Sequence, residues 1–158
     1  MKVLHGVLPD RRITWEQFYA TMHQKLEVIE PQIIIGLREG ATVMSALLAA
    51  QLKPPHYYTV RASARQGSGS GNHGMNNLGL LATNLNTVKQ LGNMTRVLLV
   101  DDVCDSGETM RQSREILEQF GSHVSTLAYV TFDHSNYFPD ITFYTEPTNE
   151  YVYFPWEQ

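Results

Sequence analysis

At 158 residues with a net charge of −4, the chain is long enough to bury one sizeable core and carries no basic field that would draw it to nucleic acid. Its single cysteine excludes an intrachain disulfide and a cysteine-rich metal site. No apolar run is long enough to span a membrane, and the opening Met-Lys-Val-Leu-His-Gly lacks the apolar segment and cleavage site of a secretory signal, so one cytoplasmic domain is expected.

In chain order, the first element is a helix opening near Thr14. Thr14 and Gln17 have capping-box spacing, and Ile13 and Phe18 are placed for a hydrophobic staple. Trp15, Phe18, Met22, Leu26 and Ile29 form one apolar stripe, ended by Pro31, that leaves only Tyr19 of the helix aromatics outside the core. Ile33, Ile34 and Ile35 read as a buried strand running into Gly36, Leu37, Arg38, Glu39 and Gly40. Residues 41–52 are apolar nearly all round, as a helix packed against a sheet is. Read alone, Arg38 is a solvated residue in a strand–helix turn.

Pro54 and Pro55 begin a new segment, and 57–60 is rich in strand formers. The Gly- and Ser-rich run 61–74 can form no core; at that length inside a compact domain it is either a mobile functional loop or a tolerated surface insertion. Residues 78–81 are expected to return as the other arm of a hairpin, and 84–92 to lead back to the central strand.

That central stretch organises the chain. Val97, Leu98, Leu99 and Val100 suit a strand buried on both faces, and Asp101 and Asp102 close it. Asp105, Ser106, Gly107 and Thr109 are turn and capping residues, after which Met110, Leu117 and Phe120 carry helical spacing up to Gly121. At a helix start the backbone N–H groups lack intrahelical partners and the dipole is positive, so this turn can wrap a phosphate without a lysine. Asp101 and Asp102 point to opposite faces of an extended chain, so both serve one ligand only if it sits across the strand end, as a ribose diol or hydrated Mg²⁺ does. The plainer reading is that the two acids cap and solvate the strand end. Cys104 has no base beside it in sequence and reads as a small packing residue. Residues 124–132 form another strand; strands alternating with helices predict an α/β fold with a mainly parallel, doubly wound sheet and ligands at the carboxyl ends of its strands.

The run Val100, Asp101, Asp102, Val103, Cys104, Asp105, Ser106, Gly107, Glu108, Thr109 resembles the signature of type I phosphoribosyltransferases, which bind phosphoribosyl pyrophosphate (PRPP) and transfer its ribose 5-phosphate to a nitrogenous base. The resemblance implies that Asp101 and Asp102 hold the ribose hydroxyls, directly or through Mg²⁺, and that Asp105, Ser106, Gly107, Glu108 and Thr109 cradle the 5-phosphate. Leu37, Arg38, Glu39 and Gly40 are similar to the pyrophosphate loop of the purine members, with Glu39 in place of the first glycine. That loop often carries a non-proline cis peptide just before its basic residue, which costs about 3 kcal/mol. Residues 62–77 coincide with the flexible catalytic loop, from which Arg61 or Arg65 would reach the pyrophosphate, although the Ser-Tyr pair often seen there is absent. Closing such a loop keeps water from a cation-like transition state.

The tail, through Tyr151, Val152, Tyr153, Phe154, Pro155, Trp156 and Glu157, resembles the base-binding hood of bacterial and archaeal xanthine-guanine-type enzymes, here about 133–158. Tyr151 would stack on the purine, and the Val152 backbone would meet its edge. By the same resemblance the substrates are PRPP and a purine, a 6-oxopurine by this tail, Mg²⁺ accompanies the pyrophosphate, Asp105 handles the proton on purine N7, and the assembly is a homodimer or higher homo-oligomer. The lysine that usually meets the exocyclic oxygen is missing; at the corresponding position stands His134, able to donate one N–H or to be a plain loop residue. A PRPP- or nucleotide-sensing regulator on the same fold is the alternative.

Overall fold

The computed structural model describes residues 11–23, 30–60, 95–147 and 151–157, without the side chain of Val60. Arg61, Arg65, the expected loop 62–77 and the expected hairpin arm 78–81 lie outside the described residues.

The chain begins with helix α1 (Trp15–Met22), closed at its start by the reciprocal Thr14–Gln17 capping box. Ile13 and Phe18 are both buried in one cluster, as a hydrophobic staple requires. The helix stops at Met22 with His23 as its C-cap, well before Pro31, and Leu26 and Ile29 lie outside the described residues. Trp15 departs from the expected core stripe: it is 43% exposed and lies flat on Tyr19, ring centroids 5.6 Å apart.

Among the described residues five strands follow: β1 (Ile33–Leu37), β2 (His56–Val60), β3 (Arg96–Cys104), β4 (His123–Phe132) and β5 (Ile141–Glu146). They form one sheet in the order β2-β1-β3-β4-β5, every neighbouring pair parallel. Helix α2 (Ala41–Leu52) links β1 to β2, and helix α3 (Glu108–Gln119) links β3 to β4. Both central strands alternate between two cores. Ile34, Leu98 and Val100 join Phe18, Met44 and Leu48 on one side, while Ile33, Ile35, Val97 and Leu99 join Met110 and Leu117 on the other. Helices therefore cover both faces, which explains why β1 and β3 read as continuous apolar runs rather than alternating ones.

From β1 the chain steps outward to β2 and then returns to β3 on the other side of β1. The carboxyl ends of β1 and β3 are thus a topological switch point, where connections leave to opposite faces and open a crevice. Two boundaries differ from expectation. Strand β3 continues past the acidic pair to Cys104, because the β4 register extends to Cys104–Thr131. Ile141–Glu146, expected within the hood, is instead the edge strand β5, paired with β4 from Leu127–Ile141 to Phe132–Glu146. What remains beyond it is anchored at 151–157: Tyr153 pairs with Arg11 and Ile13 through two backbone bonds of 2.8 and 2.9 Å. Phe154 and Trp156 stack at 4.7 Å, and Trp156 meets Phe18 edge-on. Among the described residues, no helix is long and apolar enough to cross a membrane.

Candidate active site

The carboxyl edge at the switch point collects the acidic pair, the turn after β1, the turn opening α3 and the loop after β4. Within β3 the acidic pair consumes its own backbone donors: Asp101 Oδ1 accepts from Asp102 N–H at 3.0 Å, and Asp102 Oδ1 from Val103 N–H at 2.9 Å. Asp102 accordingly drops out of the β3–β4 register, the competition between carboxylate and ladder expected of Asp in a strand.

Arg38 closes over Asp101. Its Nη2 donates to Asp101 Oδ2 and to the Val103 carbonyl, both at 2.8 Å. The residue reaches them from a left-handed backbone, φ 67°, in the tight turn between β1 and α2. Among the described residues no peptide bond is cis. Arg38 is therefore a bridge across the switch point, not a solvated turn residue. Burial pushes the Asp101 carboxyl well above the ordinary carboxylate range, against the lowering pull of Arg38, and Asp102 adds to the rise. Asp101 in turn raises the Arg38 guanidinium.

Asp102 is half-buried and lies against the turn 38–40. A Cβ built on Gly40 would fall 1.8 Å from Asp102 Oδ2. Glycine at this place is thus a matter of room for a carboxylate, since Gly40 itself has an ordinary helical φ of −61°. Leu37 is buried in the sheet, and Glu39 lies in the turn between Arg38 and Gly40.

The second turn carries Asp105, Ser106, Gly107 and the start of α3. Gly107 is the N-cap, left-handed at φ 76°, with no side-chain cap bond. A side-chain cap at this end was expected from the sequence. Instead Ser106 Oγ accepts weakly from Glu108 N–H at 3.4 Å. The first amides of a helix have no intrahelical acceptor, and the helix dipole favours an anion there. Thr109 is half-buried in the same first turn. Glu108 points along its own helix: hydrogen bonds from Arg111 and then Gln112 hold its carboxyl below the ordinary range. Cys104 is buried, its thiol donating to the Tyr137 carbonyl at 3.4 Å, and burial pushes its pKa up to about 11, which makes it a packing group rather than a nucleophile.

Asp105 and His134, distant in sequence, meet here: His134 Nε2 stands 2.8 Å from Asp105 Oδ1. Tyr151 is 62% exposed, donates to Glu157 Oε1 at 2.7 Å and feels the charge of Asp102 among the causes that raise its pKa, Glu157 first. Val152 turns its side chain into the core, leaving only its backbone for any ligand.

The geometry thus joins Arg38 to Asp101, Gly40 to Asp102 and His134 to Asp105, while Arg61 lies outside the described residues. Mg²⁺ commonly takes one or two carboxylates and fills its octahedron with water and substrate phosphate oxygens. Among the described residues no group of three or more His, Cys, Asp or Glu is placed to hold a metal, so the fit rests on the pair. Asp102 suits it better than Asp101, whose Oδ2 is taken by Arg38.

Of the β4–β5 connection, the sequence singled out only His134 as a candidate site residue. Tyr137 and Ser135 pack over Gly107, where a Cβ would meet Tyr137 Cβ at 2.6 Å, and Asn136 N–H donates to the Ser106 carbonyl at 3.2 Å. Asp140 Oδ2 accepts from Thr126 N–H and Oγ1 at 2.9 and 3.1 Å and pairs with Arg114 at 3.3 Å, pinning this connection to β4 and α3. The available signal was Asp140 after Pro139, a turn-forming pair directly before a run of strand formers.

A parallel sheet with an acidic strand end, a helix start opened by a glycine turn and a cationic bridge at its switch point offers carboxylates suited to hydroxyls and backbone amides suited to a phosphate. Residues 17–157 match the phosphoribosyl transferase domain family, and the chain belongs to that family. It is a phosphoribosyltransferase. No curated protein matches the sequence closely. The fold is similar to that of purine phosphoribosyltransferase from Pyrococcus horikoshii, with 21% identity, 93% of each chain covered and a TM-score of 0.69. It is also similar to xanthine-guanine-hypoxanthine phosphoribosyltransferase from Helicobacter pylori, with 15% identity, 97% of this chain and 93% of that one covered, and a TM-score of 0.66. A hypothetical protein from Neisseria gonorrhoeae with bound ppGpp shares 16% identity over 93% of this chain and 89% of that one, with a TM-score of 0.63. At such identities the likeness is one of fold.

Proposed function

We propose that this phosphoribosyltransferase uses PRPP and a 6-oxopurine, giving the nucleoside monophosphate and pyrophosphate. In the reaction C1′–N9 forms, the C1′–oxygen bond to pyrophosphate breaks, and the proton on N7 passes to the Asp105 carboxylate. The observation that carries the reading is convergence on one edge: Arg38 and Asp101 meet across the switch point beside the left-handed Gly107 turn, with Asp105 at its mouth. The 5-phosphate takes the amides of the Ser106 to Thr109 turn, and Asp102 faces the ribose diol and would hold Mg²⁺, which when bound would supply countercharge for the leaving pyrophosphate. Leu37, Arg38, Glu39 and Gly40 form the turn that receives the pyrophosphate, Arg38 leaving Asp101 to do so. The exposed ring of Tyr151 stacks on the base and the Val152 backbone meets its oxo edge, a role favoured by the burial of Val152 and Phe154, which turns Tyr151 outward.

A positioned general base of this kind contributes about 10² to 10⁴ in rate. The test is pyrophosphate release from PRPP with Mg²⁺ and a panel of guanine, hypoxanthine, xanthine, adenine and orotate. Turnover confined to the first three supports the proposal, and preference for adenine or orotate overturns the choice of base. The second reading, a PRPP- or nucleotide-sensing regulator, is favoured by the fold likeness to the Neisseria gonorrhoeae protein with bound ppGpp. Tight nucleotide binding without pyrophosphate release would establish it.

A further inference from the structure

We infer that His134 is a positioning residue for Asp105 and not a contact to the base, an inference that rests on the reading of Asp105 as the group that takes the N7 proton. An ionised carboxylate only accepts hydrogen bonds, so the imidazole atom that faces it at 2.8 Å carries the proton. In a neutral ring the proton on Nε2 leaves Nδ1 bare. The nitrogen that would have donated to an exocyclic oxygen is therefore already spent on Asp105.

Two features separate this pair from an ordinary surface ion pair, whose long side chains lose entropy to meet. The His134 ring is laid on the ring of buried Phe132, centroids 5.5 Å apart and planes 19° from parallel, so its orientation is set by packing. The two backbones are also tied together: Asn136 N–H donates to the Ser106 carbonyl at 3.2 Å, and Ser135 N–H closes the turn onto the Phe132 carbonyl at 3.0 Å. Asp105, by contrast, is 67% exposed, and among the described residues His134 is its side-chain hydrogen-bond partner. Held at Oδ1 by His134, it has its second oxygen, Oδ2, left to take a proton. A base fixed in one rotamer before substrate arrives does not bear that ordering cost in the transition state.

The inference is tested on the full chain in two ways. With ¹⁵N-labelled histidine at pH 8, the ring signals absent from His134→Ala should show a protonated Nε2 and a bare Nδ1. This signature should collapse toward a tautomer mixture in Asp105→Ala. In kinetics with the purine that the panel identifies, His134→Ala should lower kcat about tenfold to a hundredfold, the value of a hydrogen bond to a charged group. KM for the base should stay within about twofold. In the Asp105→Ala background the same substitution should add no further loss, and His134→Gln, which restores an N–H donor, should recover most of kcat. A raised base KM at unchanged kcat, an independent loss in the double variant, or a proton on Nδ1 would overturn the positioning role. If no purine is turned over, the enzymatic reading falls and the role with it, while the nitrogen signals still report separately whether the contact exists.

Discussion

Gly40→Ala separates function from stability in a way that the geometry makes quantitative. The backbone at Gly40, φ −61° and ψ −36°, is open to any residue, so alanine there should stabilise by about 0.4–1 kcal/mol through the unfolded chain. Against this, its Cβ would lie 1.8 Å from Asp102 Oδ2 and 2.5 Å from Cγ, an overlap relieved by swinging the carboxylate away. The swing breaks the 2.9 Å bond from Val103 N–H to Asp102 Oδ1, worth about 1 kcal/mol. The two effects nearly cancel, and the melting temperature should move by no more than about 3 °C. The PRPP site, however, loses the carboxylate proposed to face ribose and Mg²⁺. Steady-state kinetics should show KM for PRPP rising at least about tenfold, the value of one charge-assisted hydrogen bond. Unchanged melting with unchanged KM would refute the placement of Asp102 in the site, and a large loss of stability would refute the claim that only a side chain has to move.

Gly107→Ala should behave differently, because its positive φ of 76° and a Cβ only 2.6 Å from Tyr137 Cβ combine backbone strain with overpacking; chemical denaturation should show a loss of about 2 kcal/mol or more. In Mg²⁺-free buffer, stability should carry the signature of Asp101: its folded pKa lies above the unfolded one, so its contribution is complete below about pH 4 and is lost as pH rises through the folded value. Asp101→Asn should flatten that decline in a pH series of denaturation curves, and an equal decline in the variant would assign it elsewhere. Tyr151→Ala, at a side chain 62% exposed, should leave the melting temperature unchanged and raise base KM by a factor of about 2 to 12, the range of one aromatic stacking contact.

Much of the fold was open to local reading. Ile33, Ile34 and Ile35, and Val97, Leu98, Leu99 and Val100, are β-branched and aliphatic runs too short for a helix, and they are the buried central strands. The Thr14–Gln17 box starts α1, and left-handed Gly121 follows the end of α3, because capping is a contest settled within a few residues. The order of acidic pair, small turn and helix was legible for the same reason. In the tail the structure alternates, Val152 and Phe154 inward, Tyr151 and Tyr153 outward.

Tertiary structure alone decided the rest. Local pattern distinguishes a strand from a helix but not one strand's neighbour from another's, since any apolar strand can pair with any other. Ile141–Glu146 therefore read as part of a hood until its register with β4 made it the sheet edge. The order β2-β1-β3 brings Arg38, 63 residues from Asp101 in sequence, onto that carboxylate, and no spacing rule spans such a distance. His134 and Asp105, 29 residues apart, meet only because adjacent parallel strands end together and the connection after β4 folds back over the turn after β3. Short-range hydrogen bonding and side-chain period wrote the elements and the motif into the sequence. Which motif residues touch was settled by the packing of two cores on a parallel sheet, where burial and strand order act on the whole chain at once.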